Sequence, residues 1–292
     1  MPEARSRVGD APGFDPAALS YARALSVDEA LGALAAGAIP LAGGTLLTPA
    51  IAHQNLDRSL IDISRIASLR ALRREGDAFD VGALVTHAEL AASAEVASAF
   101  PALAEAARSV GNPQVRAAGT VGGNVACRLA RASLPAVLLV LDAEVVLRGR
   151  AGESTVPLSR ALQEGVPVGA LIVALRLPTE ARRRAAHVKF AWRHTSAKAL
   201  AAVAVSIVID EGRVRSPRIA ASAICVAQRL RRAEALLEGR ALDGAVIAAV
   251  AREAAGEPPF ALDADAVPVG EAYRRRLVGH GVARLLEELA TR

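Results

Sequence analysis

The sequence predicts an α+β chain built in two parts, and three observations predict it. Helices opened by capping signals alternate irregularly with short apolar runs, without the regular strand–helix–strand rhythm of a parallel α/β fold. A polar, arginine-rich stretch from Thr179 to Ala186 divides two such sets of elements. The length, 292 residues, is about twice the roughly 150 residues of a common domain.

The elements follow in order. Met1 to Asp10 is charged, lacks the apolar stretch of a secretory leader and reads as a loose arm. Ser26-Val27-Asp28-Glu29 is a capping box whose helix runs through Leu31 and Leu34 to a stop at Gly37. Ile39 to Ala42 is a short strand entering Gly43-Gly44, and Leu60 to Ile63 is another. Leu69 to Leu84 reads as a hairpin turning at Glu75-Gly76-Asp77. Thr86-His87-Ala88-Glu89 is a second capping box, with a helix to about Ala99. Pro101 opens the next helix, which ends at Gly111. Asn112 to Asn124 reads as irregular and glycine-rich. Val137 to Leu141 and Glu144 to Leu147 read as strands around Asp142-Ala143, and Ala170 to Leu177 as a strand stopped by Pro178. Past the boundary, Ala201 to Ile209 and Val214 to Val226 read as strands joined at Glu211-Gly212. Helices near 231–238, 243–255 and 270–290 close the chain.

Composition narrows the function. Hydrophobic residues make up 52%, enough for a full core and too many for a disordered chain, while aromatics at 3% leave the core to Ala, Val, Leu and Ile. The excess of 35 basic over 30 acidic residues is small. The runs Arg182-Arg183-Arg184 and Arg274-Arg275-Arg276 lie far apart, unlike the concentrated stripe of a nucleic-acid binder. They read first as solvated faces and second as docking patches. Two cysteines, Cys127 and Cys225, exclude a disulfide framework and a cysteine-ligated zinc or iron–sulfur centre within the chain. His53, His87, His187, His194 and His280 show no metal-ligand spacing, and His87 belongs to a capped helix start. No uncharged apolar run reaches the roughly 18 residues of a membrane span. The expectation is a soluble protein of a reducing cytoplasm, without membrane insertion.

Two glycine segments carry what chemistry there is. Ala42-Gly43-Gly44-Thr45-Leu46 follows a strand, and Thr120-Val121-Gly122-Gly123-Asn124 follows a loop. Glycine pairs let successive amides approach an anion closely. Neither segment fits the P-loop or the Rossmann fingerprint. Taken singly, each pair makes a turn; taken together, the two suit opposite ends of one pyrophosphate. No catalytic triad and no paired carboxylates stand out.

The longer strings resemble a known family. Ala42-Gly43-Gly44-Thr45 followed by Pro49 resembles the first flavin-binding loop of the FAD-binding medium subunits of molybdenum hydroxylases, the xanthine dehydrogenase and carbon monoxide dehydrogenase group. Val110-Gly111-Asn112-Pro113-Gln114-Val115-Arg116, continuing through Gly119-Thr120-Val121-Gly122-Gly123-Asn124, resembles their second loop. Leu60 to Ile63, Val81-Gly82-Ala83, Leu134-Pro135, Leu141 to Val145, Arg176-Leu177-Pro178 and Val188-Lys189-Phe190 with Arg193 follow in the family's order.

The resemblance implies a two-subdomain FAD-binding fold of the PCMH/VAO-like type over 12–178, split near 64, and a carbon monoxide dehydrogenase flavoprotein-like C-terminal domain over 182–292. It implies FAD cradled by Ala42, Gly43, Gly44, Thr45 and Leu46 and by Thr120, Val121, Gly122, Gly123 and Asn124. Lys189 would lie near the flavin, unless it is a surface lysine snorkelling from a strand. It implies a large molybdopterin-binding subunit and a small [2Fe-2S] subunit as partners, with no nucleic acid. The chain would pass electrons from the clusters through FAD to an external acceptor; the alternative is a flavin-poor scaffold of the same complex. Leu46 replaces a usual polar residue, and Ser133 stands where the family places an Asp near the cofactor. Arg128 and Arg131 suit either a phosphate or solvent. Cys127 reads as a buried filler ahead of a reactive thiol, and Trp192 as core or as a shield for the flavin edge or a subunit interface. The basic start at Arg274-Arg275-Arg276 and the acidic end at Glu287-Glu288 oppose the helix dipole and suit a partner contact.

Overall fold

The computed structural model describes residues 20–54, 59–192, 198–222, 224–259 and 269–291. The expectations for Met1–Asp10, Arg193, His194 and the His53 side chain lie outside this set. Strand β1 (Tyr21–Arg23) leads through α1 (Val27–Ala35) to β2 (Ile39–Leu41), and β3 (Leu60–Asp62) inserts between them in parallel, giving the order β1-β3-β2. The Ser26 hydroxyl caps α1 as expected, but Glu29 closes back on the Leu25 amide at 2.8 Å, not on Ser26, so the capping box is only half formed. Gly37, at φ +91°, stops the helix in a conformation that a side chain would strain.

Asp62 ties this small sheet together. Its carboxylate accepts from the Tyr21 hydroxyl at 2.5 Å, Arg23 Nε at 3.0 Å and the Ser64 amide at 2.8 Å. Burial pushes the carboxyl up, but the hydrogen bonds from Tyr21, Ser64 and Arg23 outweigh it and hold the group well below the usual carboxylate range. A pKa lowered on folding stabilises the native state above the unfolded value, near ~4, and that stabilisation fades as pH falls below it. Asp62→Asn is therefore expected to cost about 1–3 kcal/mol at neutral pH. Urea melts should show the gap to wild type closing as pH drops from ~5 to ~3; a constant gap would deny the ionised carboxylate this role.

A second, antiparallel sheet has the order β4-β5-β8-β6-β7, from β4 (Leu72–Glu75), β5 (Ala78–Gly82), β6 (Glu144–Gly149), β7 (Gly152–Pro157) and β8 (Leu171–Pro178). The β4–β5 turn sits at Gly76-Asp77 as the sequence predicts. Helices α3 (His87–Ala92), α4 (Ala94–Ala99), α5 (Pro101–Arg108) and α8 (Leu134–Val140) pack beside it around Leu90, Leu103, Val137 and Leu175.

Three expectations fail here. The helix over 87–99 is two, because Ser93 leaves helical geometry and its hydroxyl caps α4. The stretch 112–124 is not irregular: Asn112 caps α6 (Pro113–Ala118) and Thr120 caps α7 (Val121–Ala126). Val137–Leu141 is not a strand but the body of α8. Pro135 sits in its first turn, and all seven of its residues are buried. An apolar run with no polar face gives no periodicity to separate buried helix from buried strand.

The C-terminal part is an antiparallel sheet of order β12-β11-β10-β9, from β9 (Arg183–Ala191), β10 (Ala199–Asp210), β11 (Arg213–Ser222) and β12 (Gln228–Arg229). Arg183 to Ala186, expected in the polar boundary, already belong to β9, and β11 stops at Ser222, short of Val226. Helices α10 (Arg231–Leu237), α11 (Gly244–Gly256) and α12 (Glu271–Thr291) cover one face through Val203, Val205, Val250 and Leu285. The other face meets α5 and α8 and carries Ala204 and Ala220, whose small side chains admit close helices. Ser206 Oγ donates across this seam to the Val140 carbonyl at 2.6 Å.

The arginine runs divide between solvent and the chain: Arg182 and Arg276 are exposed, and the others reach groups within the chain. Arg274, 3% exposed, donates to the Leu200 and Ala199 carbonyls, and Arg275 to those of Ala255 and Pro258 near the end of α11. The expected partner contact at these two residues is thereby corrected. The long guanidinium stems reach carbonyls that the helix and strand ends leave unbonded. Arg182 pairs with Asp210, Arg183 with Glu180, and Arg184 Nη1 reaches the Leu289 carbonyl.

Candidate functional site

The two glycine segments meet. Each opens a helix: 42–46 leads from β2 into α2 (Leu47–Gln54), and Thr120 into α7. A Cβ on Gly43 would lie 2.7 Å from the Ala118 carbonyl carbon, closer still to its oxygen, and 3.1 Å from Gly119 Cα. Thr45 Oγ1 would lie 3.3 Å from a Cβ on Gly119, and so would His87 Cδ2. The contact is backbone on backbone, and glycine is required at 43 for that reason.

The donors are unequally shared. Val121 N donates to the Val85 carbonyl, Gly122 N to that of Ala83, Asn124 N to that of Thr120, and Gly123 N to the Thr120 hydroxyl oxygen. The second segment therefore spends its amides on the chain itself. A Cβ on Gly122 would sit 2.7 Å from Ala83 Cβ, so this glycine serves packing against the Ala83 backbone. Val121 is wholly buried. What the segment still offers is the Thr120 hydroxyl hydrogen and the Asn124 side chain, whose buried Oδ1 has no partner among the described residues. By contrast, among the described residues the amides of Gly43, Gly44, Thr45 and Leu46 have no backbone acceptor. The first loop is the donor-rich one.

An apolar cavity of about 330 Å³ opens beside the meeting point. Ala42, Gly122, Gly123, Ala126 and Pro40 line it together with 166–172, and among the described residues no polar or charged side chain faces it. Ser133 and Lys189 do not line it. Ser133 is buried at the start of α8 and makes no capping hydrogen bond. Lys189 Nζ instead donates to the Ser109 carbonyl at 2.8 Å. Burial, and then the nearby Arg116, lower its pKa. Lys189 is thus half-buried and bonded, not a snorkelling surface lysine. On the same face of β9, His187 is buried with Nε2 unpartnered among the described residues, and burial lowers it to about 4. His87, at the start of α3, is lowered to about 4 by burial and then by Arg116.

Other candidates resolve. Arg128, at φ +48°, is an exposed residue whose guanidinium donates to the Leu162 and Gln163 carbonyls at the end of α9 (Leu158–Glu164). Cys127 is exposed, against the expectation of a filler, because it falls past the buried Val125 at the end of α7. Although the residue is exposed, its sulfur is partly enclosed by neighbouring atoms, and that desolvation pushes the thiol up against the opposing charge of Arg131. Trp192 is 66% exposed and so not core. No set of three or more metal-ligating side chains, and no helix long and apolar enough to cross a membrane, occurs among the described residues. Sequence reasoning missed Ala83, Ala118 and the 166–172 wall. Ala83 and Ala118 act through backbone, which residue type does not report, and the wall shows only its Pro167 and Gly169.

Comparisons with known proteins identify the chain's relatives. The family model described as FAD binding domain in molybdopterin dehydrogenase matches residues 16–180, and that of the CO dehydrogenase flavoprotein C-terminal domain matches 186–289. The chain is 34% identical to the 6-hydroxypseudooxynicotine dehydrogenase complex subunit alpha of Paenarthrobacter nicotinovorans, over 82% of this chain and 84% of the other. It is 29% identical to the nicotine 6-hydroxylase medium subunit of the same organism, over 94% and 98%. Among solved structures, a carbon monoxide dehydrogenase of Hydrogenophaga pseudoflava superposes with a TM-score of 0.86 at 32% identity, covering 92% of this chain and 96% of that one.

Proposed function

Because the chain belongs to the family of FAD-binding subunits of molybdenum hydroxylases, we propose that it is the flavoprotein of a heteromeric complex with a large molybdopterin-binding subunit and a small [2Fe-2S] subunit. Bound FAD supplies a two-electron centre through which electrons from the partner's clusters reach an external acceptor. The division at 178/182, with a further split near 64, goes with this reading, as does a cytoplasmic location.

The observation that carries it is the first loop, with four amides free of backbone acceptors among the described residues, pressed onto the second segment beside an apolar cavity. These residues fit the cofactor. The amides of Gly43 to Leu46, at the entry to α2, would hold the pyrophosphate with the Thr45 and Thr120 hydroxyls. Leu46 contributes through its amide, so the missing polar side chain removes one donor and leaves the backbone set intact. Asn124 Oδ1 is an acceptor waiting for a hydroxyl or amide donor. The cavity would take an apolar ring system, with hydrogen bonds from backbone alone.

The test is a visible spectrum of the purified full chain before and after FAD is added. Flavin bands near one equivalent per chain are expected. A chain that takes up no FAD, alone or with its two partners, would leave the scaffold role as the better reading.

A further inference from the structure

Gly119 is a glycine for reasons of space, not of backbone geometry. Its φ of −67° and ψ of 133° are open to any residue. A Cβ there would lie 2.8 Å from the Val115 carbonyl oxygen and 3.3 Å from each of two side-chain atoms, His87 Cδ2 and Thr45 Oγ1. The missing side chain leaves one spot that an imidazole and a hydroxyl both approach. Thr45 belongs to the first loop, and His87 is braced against the second segment. The His87 amide donates to the Gly119 carbonyl at 3.0 Å, and Thr86 bridges to Thr120. Thr86 and Glu89 close the start of α3 on each other, so the ring is presented from a fixed helix end.

Both groups are unspent. His87 is 2% exposed, and its Nδ1 has no partner among the described residues. Thr45 Oγ1 makes no hydrogen bond among them either. Burial, and then Arg116, keep the imidazole neutral at ordinary pH, so it has one N–H to give and adds no charge. A half-turn of the ring about Cβ–Cγ puts Nδ1 where Cδ2 now lies and fills the same volume. A buried nitrogen without a partner is costly, which favours the orientation that finds one.

We infer that His87 is a positioning residue of the cradle: its imidazole N–H donates to Thr45 Oγ1, directly or through one water, and so aims the single Thr45 hydroxyl hydrogen at the pyrophosphate. The inference rests on the reading that the FAD pyrophosphate occupies the cradle. A threonine hydroxyl has one hydrogen and two lone pairs. Left free, it turns among several positions. Once one lone pair is taken from the α3 side, fewer positions remain for the hydrogen, and the anion beside the loop receives it.

The experiment is a fluorescence titration of the full chain with FAD across a double-mutant cycle of His87→Leu and Thr45→Val. His87→Phe and His87→Gln are measured alongside, with a thermal melt for each protein. His87→Leu is expected to weaken FAD binding about tenfold, ~1.4 kcal/mol, and Thr45→Val by at least as much. The double variant should bind within about twofold of Thr45→Val alone, because His87 acts through that hydroxyl. His87→Phe fills the space with a ring that has no N–H and should match His87→Leu. His87→Gln keeps an N–H donor and should restore most of the loss. If His87 only packs, His87→Phe binds like wild type, or the two single losses multiply in the double variant; either result overturns the inference. So does a His87→Gln chain that binds no better than His87→Leu. Should His87→Leu fail to fold, the same cycle is closed with His87→Phe. A wild-type chain that binds no FAD overturns the cradle reading itself, and this inference with it, before any variant is compared.

Discussion

Gly43→Ala is expected to abolish measurable FAD binding, with a loss of at least about 100-fold in affinity. The added methyl has no rotamer to escape into, because its neighbour is the Ala118 carbonyl and the Gly119 backbone, not a flexible side chain. One of the two segments must retreat. The amides of Gly43 to Leu46 then lose their common focus beside Thr120. Hydrogen bonds to a charged group contribute about 1.5–3 kcal/mol each, so misplacing two of them exceeds the ~2.7 kcal/mol that corresponds to 100-fold. The measurement is quenching of FAD fluorescence on titration, with a thermal melt to separate local from global damage. Gly32→Ala is the matched control. Gly32 lies inside α1 with nothing within 4 Å of an added Cβ, so the change should stabilise the helix by about 0.5–1 kcal/mol and leave FAD binding alone. Equal FAD affinity in Gly43→Ala and wild type would show that contact between the segments is not what makes the site.

The contrast shows what a sequence reports and what it does not. Ser26, Thr86 and Pro101 announced their helices because capping is local chemistry, settled within four residues. The turn at Glu211-Gly212 was equally plain, since both residues take positive φ. The first glycine loop was found for a sound reason, a strand ending at paired glycines. The second was found by its pattern, yet the purpose of its amides was misread. Val121 and Gly122 are committed to Val85 and Ala83, residues 36 and 39 positions earlier. No local rule reveals that commitment. Buried Leu134–Val140 failed for the complementary reason, since without a wet face a helix leaves no period to read. Ser133 stands in the string where the family places a cofactor residue, and the fold buries it at the start of α8, outside the lining of the cavity; motif position does not report that placement. Arg182 and Arg276 are the surface features their runs suggest, but spacing says nothing of the carbonyls that Arg274 and Arg275 reach.

Glu234→Ala is expected to cost about 3–5 kcal/mol of stability, the largest effect we anticipate outside the apolar core. Glu234 is 6% exposed on α10, and its carboxylate does several things at once. Oε1 accepts from the Ile219 amide at 2.9 Å and from Arg229 Nε; Oε2 accepts from Arg229 Nη2 at 2.9 Å. Arg229, itself 10% exposed, extends Nη1 to Asp142, which also pairs with Arg218 at 2.6 Å. Asp142 follows α8 in the FAD-binding part, so one carboxylate on α10 orients the arginine that crosses between the two parts of the chain. Removing it leaves a buried guanidinium held only by an Asp142 that is half exposed, and a buried amide without its acceptor. Glu234→Gln should cost less, because its carbonyl can still accept from Ile219 while the charge of Arg229 goes unmatched. Asp142→Asn should cost at most about 1 kcal/mol, since solvent screens an exposed pair. The order Ala, Gln, then Asp142→Asn in equilibrium urea melts separates the buried carboxylate from the surface network. If Glu234→Ala stays within about 1 kcal/mol of wild type, the pair is dispensable and apolar packing alone fixes α10 against the sheet.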